Sequence, residues 1–190
     1  MTEPASILQD PDKRGENSQI KLLLLQQPAI ARCCGHGTSD YRTIDPPPIV
    51  TFTSSSIVPH KIYNNEFMVT VNLWSIDESE EPLKELHTDL VGNTIAESRV
   101  LEDADGLKKI YFIFPNVYVR KEGRYRLCFR LIKIFGPTHD RLLPYTSVMD
   151  TIFSNVIQVY LPKHFPGKSK PSMLMQVLVK QTNDLKSRNL

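Results

Sequence analysis

Between residues 26 and 50 the chain reads QQPAIARCCGHGTSDYRTIDPPPIV, and this stretch gathers several side chains capable of chemistry. It holds Arg32, the adjacent Cys33 and Cys34, His36, Arg42, and the carboxylates Asp40 and Asp45. Two cysteines and a histidine suggest a metal site. Neighbouring cysteines do not easily enter one tetrahedral site together, however, and no fourth ligand is evident. A nucleophilic cysteine would need a base and a group to orient it, and His36 is near only in sequence. The chain has no phosphate-cradling glycine loop, no Gly-x-Ser-x-Gly and no His-Glu-x-x-His, and its other histidines are scattered. Glu80 and Glu81 pair two carboxylates with no other site feature beside them, so a solvated excursion is expected there. The sequence therefore predicts no enzyme, metal, cofactor or small-molecule substrate.

The stretch itself is stiff. Proline fixes φ and lacks a donor, so Pro46-Pro47-Pro48 gives a rigid extended run. The simplest reading is one long surface loop between two strands, Ile20–Leu25 before it and Ile49–Thr53 after it. Residues 66–75 (EFMVTVNLWS) alternate strictly, with Phe67, Val69, Val71 and Leu73 on one face. Further strands are predicted at 109–114, at 117–120 as a short extended piece, at 124–134 and at 155–161. In the 124–134 strand Tyr125, Leu127, Phe129 and Leu131 should face the core, leaving a row of arginines opposite. From Pro82, the spacing of Leu83, Leu86, His87 and Leu90 predicts one or two helical turns ended by Gly92-Asn93. Residues 136–144 read as loop and 162–171 as a basic connector. A helix over 172–185 is expected, capped by Ser172. At least six short strands, many Pro and Gly turns and few helices predict a mainly β protein, a β-sandwich with a terminal helix packed on it. Residues 1–18 and 187–190 read as tails around one domain at 19–186.

Composition agrees with one such domain: 190 residues, 41% hydrophobic and 23% charged, with a formal net charge of +2. So small a total gives no global argument for nucleic acid. Its distribution says more: residues 77–105 carry ten acidic and two basic side chains, whereas 120–141 carry seven basic and two acidic. A local cationic face is compatible with the near-neutral total. Three cysteines and a polar opening segment without the apolar core of a secretory signal predict a reduced intracellular setting, with no membrane contact.

In order along the chain, Gln26-Gln27-Pro28, Arg32, Gly35, Ile44-Asp45-Pro46-Pro47-Pro48-Ile49-Val50, Leu90-x-Gly92, Phe112-Ile-Phe-Pro115, Val119-Arg120-Lys-Glu-Gly123-Arg-Tyr-Arg126-Leu-Cys-Phe129 and Val159-Tyr160 with Lys163-x-Phe165-Pro166-Gly167 form an ordered set. The chain in this respect resembles the velvet domain of fungal regulators over about residues 19–185. That resemblance implies an immunoglobulin-like sandwich related to the Rel homology region, nuclear location, and sequence-specific binding of double-stranded DNA. It also implies a homo- or heterodimer with another velvet protein, in control of development, sporulation and secondary metabolism.

On that resemblance the 26–50 stretch is the DNA-recognition region. Gln26, Gln27, Pro28, Gly35, Asp45, Pro46, Pro47 and Pro48 would be its frame. Arg32 and Arg42 are the first candidates for contact, because the guanidinium fork fits guanine O6 and N7 or a phosphate. Lys21, His36, Lys61, Arg120 and Lys121 are candidate phosphate contacts. For Arg32 the competing reading is an ion pair with Asp40 or Asp45. The chain also departs from the family pattern: Ala29, Ile30, Thr38, Ser39 and Tyr41 stand where basic residues are common. Either a partner subunit or other basic segments, such as Lys163, Lys168 and Lys170, would then supply charge. The alternative function is an interaction module that dimerises with other regulators and touches DNA little.

Overall fold

The computed structural model describes residues 20–36, 41–54, 66–137 and 142–182. Expectations for the two tails, for Lys61, for Asp40 and for residues 183–185 lie outside them. Thirteen strands and one α-helix appear among the described residues. A four-stranded sheet has the order β1-β3-β9-β8, built from Lys21–Gln26, Ile49–Thr53, Lys108–Ile113 and Arg99–Glu102. A larger sheet runs β2-β13-β11-β4-β5, from Ile30–Arg32, Ile157–Tyr160, Gly123–Phe135, Phe67–Ile76 and Pro82–Glu85. On it β12 (Tyr145–Phe153) adds to β11, and β7 (Ile95–Glu97) adds to β4. A ribbon of β6 (Leu90–Gly92) and β10 (Val117–Val119) stands apart from both sheets. This is the predicted immunoglobulin-like β-sandwich.

Alternation along the long strands builds the core. On β4, Phe67, Val69, Val71 and Leu73 are buried while the residues between them are half-exposed. Opposite them across the antiparallel register lie Leu127, Phe129 and Leu131 of β11, all buried. Phe52 of β3 contacts Phe67 at 5.0 Å between ring centroids, joining the two sheets. The middle strands of the smaller sheet are buried on both faces. Val50, Ile110 and Phe112 enter the main core, and Ile49, Tyr111 and Ile113 meet Met175 and Leu178 on the other side. The second set belongs to α1 (Met173–Gln181), which lies over the smaller sheet. Each fully buried Met or Leu of this kind contributes about 1.5–3 kcal/mol. Ser172 caps α1 by accepting from the Met175 N–H at 3.0 Å, as its position in the sequence requires. At the far end, the Gln181 amide donates to the Glu102 carbonyl and accepts from the Glu102 N–H, so it protects part of the β8 edge.

Four expectations need correction. The helix predicted from Pro82 does not form: β5, a turn at 87–89 and β6 stand there. Its apolar stripe does not face one core: Leu90 enters the main core and Leu86 packs against it, but Leu83 is 66% exposed and His87 is exposed. Pairing with β4 wins instead, and Pro82 is tolerated because β5 is an edge strand. Glu85 then faces Arg130, whose Nη2 reaches its carboxylate at 3.1 Å. The arginine row on β11 is therefore partly covered: Arg124 contacts Glu80, and Arg130 also donates to Asn72. Strand β12 was not expected at all. It is an edge strand with half-exposed residues on both faces and a register shift against Leu131/Ile132, which blurs its alternation. The stretch 26–50 is not one loop, because β2 interrupts it. Finally, α1 ends at Gln181, and Thr182 closes it through its backbone N–H on the Val179 carbonyl.

Candidate nucleic-acid interface

Three strand ends meet where the 26–50 stretch crosses the sandwich. Ile30, Ala31 and Arg32 pair in parallel with Gln158, Val159 and Tyr160 of β13, and buried Ala31 anchors the strand. Beyond Arg32 the backbone zips from one strand to another. The Cys33 N–H donates to the Tyr160 carbonyl at 2.9 Å, Cys34 N–H to Val119 at 2.9 Å, and Gly35 N–H to Arg120 at 3.0 Å. Gly35 turns the chain at φ +62. The Arg120 guanidinium closes this turn: its Nη1 donates to the Gly35 carbonyl at 3.3 Å and lies 3.4 Å from His36 Nδ1. The returning segment is fixed by the Ile44 N–H on the Val117 carbonyl at 3.0 Å. Thus β10 seats both arms of the stretch.

The predicted frame residues hold the stretch from below. The Asp45 carbonyl accepts from the N–H groups of Ala29 and Ile30, while the Asp45 N–H donates to Ile30. Asp45–Pro46 is cis. Gln27 accepts from the Asn155 N–H through its side-chain oxygen at 3.0 Å. Pro28, Pro47 and Pro48 are buried, and the Pro48 carbonyl accepts from Phe114 N–H at 3.0 Å. Buried Gln26 does two jobs: Nε2 donates to the Pro47 carbonyl at 2.6 Å, and Oε1 accepts from the Ser172 hydroxyl. The Asp45 carboxylate Oδ2 accepts from the Ser169 N–H at 2.6 Å. Frame, basic connector and the start of α1 are consequently one hydrogen-bonded unit. Lys168 lines the same cleft as Thr43, Asp45 and Pro46.

The candidate contact residues divide. Backbone bonds from residues 33–35 and 44 to β13 and to the 117–120 segment set the stretches carrying Arg32, His36, Arg42 and Arg120 side by side, with Arg42 and His36 exposed and Arg120 touching His36. Lys21 is not with them. It begins β1 opposite Thr53, next to Leu22, whose N–H donates to Asp150 Oδ2, so the length of β1 and β2 separates it from Arg32. Lys121 is near but engaged: its ammonium lies 3.1 Å from the carboxylate of buried Asp89. Cys33 is buried, and burial, aided by Glu122, pushes its thiol pKa up. Cys128 is buried too, and its pKa is raised for the same reason. A nucleophile or metal ligand needs the opposite shift. Among the described residues, no group of three His, Cys, Asp or Glu side chains is placed to hold a metal ion.

Sequence reasoning missed an aromatic pair. Tyr41 rests on Tyr118 with ring centroids 4.9 Å apart, and Tyr118 passes over Gly92. The alternation Val117-Tyr118-Val119-Arg120 was the available signal that Tyr118 of β10 and Arg120, just past its end, lie on the open side, since both valines are buried.

A family model described as Velvet factor matches residues 20–89 and 77–189. The chain belongs to the velvet family. Among similar proteins, the sexual development regulator VELC of Pyricularia oryzae is 31% identical over 94% of this chain and 42% of its own length. The sexual development regulator umv3 of Mycosarcoma maydis is 26% identical over 98% of this chain and 49% of its own. The developmental and secondary metabolism regulator veA of Emericella nidulans is 27% identical over 89% of this chain and 35% of its own. The velvet chain described here thus spans half or less of the length of these three relatives.

The Lys121–Asp89 pair gives this velvet domain a direct test of which cations are structural. Replacing Lys121 by Ala should destabilise the fold by about 1 kcal/mol, because it strips the partner from a buried carboxylate while one side of the pair is well exposed. The salt dependence of any DNA affinity should not change, since the charge is already matched internally. Thermal melting and binding titrations at two salt concentrations measure both. A slope shallower by about 0.9 would place Lys121 on a phosphate instead.

Proposed function

We propose that this chain is a DNA-binding developmental regulator that works in the nucleus as a homo- or heterodimer with another velvet domain. The observation that carries this reading is the convergence of Arg32, His36, Arg42 and Arg120 at one edge, on a backbone held by β10 and β13. A rigid frame under a few guanidinium groups suits both phosphate clamping and base-edge readout. The relatives named above are all regulators of development, which supports the regulatory role. A dimer would offset the thin charge: one such edge neutralises few phosphates, and two half-sites would add their contacts. Sizing the protein with and without mixed-sequence duplex DNA tests both parts. A protein that neither binds duplex DNA nor associates, alone or with a second velvet domain, refutes the reading.

One observation favours a second reading, that of an interaction module with little DNA contact of its own. Lys121 and Arg120 are partly occupied by protein acceptors, and positions 29 and 30 are Ala and Ile. On this reading DNA binding appears only when a second velvet protein is added.

A further inference from the structure

We infer that Tyr41 is a DNA contact of this edge, its phenol donating to a phosphate oxygen while its ring packs on the adjoining sugar. The inference rests on the DNA-binding reading above and adds a neutral residue to it. Its placement is built. Tyr118 of β10 and Arg120, the first residue past the end of that strand, are both half-exposed while Val117 and Val119 are buried. Arg120 carries the Gly35–His36 turn, and Tyr118 carries Tyr41 at 4.9 Å between centroids with the planes inclined by 43°. Tyr118 cannot sink away from the load, because it lies directly over Gly92, where even a methyl group would come within 2.8 Å of its ring. Tyr41 is itself 39% exposed, beside exposed Arg42. A large aromatic ring stacked on a supported ring and left open beside guanidinium groups fits a surface that meets a polyanion carrying apolar sugar faces.

Neutral and charged contacts are separable by salt. An arginine on a phosphate releases counterions, so its loss makes the salt slope shallower by about 0.9; a phenol releases none. Binding of mixed-sequence duplex DNA by the 190-residue chain, titrated between about 50 and 200 mM salt, therefore distinguishes them. Tyr41→Phe should weaken binding about five- to tenfold and Tyr41→Ala about ten- to fiftyfold, both with the parental slope. Arg42→Ala in parallel should lower the slope. Melting of each variant separates loss of contact from loss of fold, and Tyr41→Phe keeps the ring pair in place as the second safeguard. Parental affinity in both Tyr41 variants overturns the contact while leaving the DNA-binding reading intact. A changed slope in Tyr41→Phe overturns it also. A parent chain that binds no duplex DNA removes the underlying reading and this contact with it.

Discussion

The Arg32→Ala/Arg42→Ala double variant should bind duplex DNA about a hundredfold to ten-thousandfold more weakly than the parent, with a salt slope shallower by about 1.8. Each arginine contributes in two ways. As a cation it releases counterions from the phosphates, and as a planar fork it can hold two acceptors at once. Arg32 ends β2, where the pairing of Ile30–Arg32 with Gln158–Tyr160 fixes its backbone, so its approach is preorganised rather than assembled on binding. Arg42 is exposed and enters three residues before the frame residue Asp45. Because Arg32 is half-buried, the double variant must be compared with the parent by thermal melting before affinities are read. Arg42→Lys supplies the finer test, since it keeps the charge and loses the fork. A phosphate contact should survive that change with its slope intact, whereas a bidentate guanine contact should lose sequence preference. Fluorescence anisotropy at two salt concentrations reads all of these. A double variant with parental affinity and slope would move the DNA-binding edge elsewhere on the molecule.

The long strands were legible because their alternation answers to one core. Phe67, Val69, Val71 and Leu73, and opposite them Leu127, Phe129 and Leu131, are buried as their period of two requires. What failed were elements decided by strand pairings that local periodicity does not announce. The leucines from Leu83 to Leu90 do fit a helical stripe, yet β4 offers a free edge and Glu85 has Arg130 to meet, so pairing overrode the local pattern. In the candidate interface, the sequence singled out Gln26 and Asp45 but not what they hold. Their partners Ser172 and Ser169 lie more than a hundred residues away, and only the fold brings the connector to the loop. Nothing in the sequence announces that a buried Asp89 waits beside Lys121. The same tertiary pairing created Tyr41's platform, which no local motif encodes.

Gly92→Ala should cost about 3 kcal/mol or more, lowering the melting temperature by about 6–12 °C, and should weaken DNA binding although Gly92 touches no candidate contact residue. Two penalties coincide there. The residue has φ +100, a conformation that side chains rarely adopt, and a Cβ built on it lies 2.1 Å from the Asn116 carbonyl oxygen. That oxygen is backbone and is already engaged by the Asn93 N–H at 2.8 Å, so it cannot swing aside. Relief requires β6 and β10 to part at the Val117–Gly92 register pair. Strand β10 and Arg120 just after it, however, carry both arms of the 26–50 stretch, through Val119 and Arg120 to Cys34 and Gly35, and through Val117 to Ile44. The strain should therefore reach the candidate interface as a displaced loop, not as a lost contact. Gly35→Ala provides the contrast: its φ is +62, but nothing lies within 4 Å of the added carbon, so only the left-handed backbone cost of about 1–2 kcal/mol applies. Melting curves for the two variants, with DNA titrations at temperatures where both stay folded, measure the difference. A Gly92→Ala protein that melts with Gly35→Ala or above it would show that the β6–β10 ribbon yields freely, and β10 would then be a follower of the loop instead of its support.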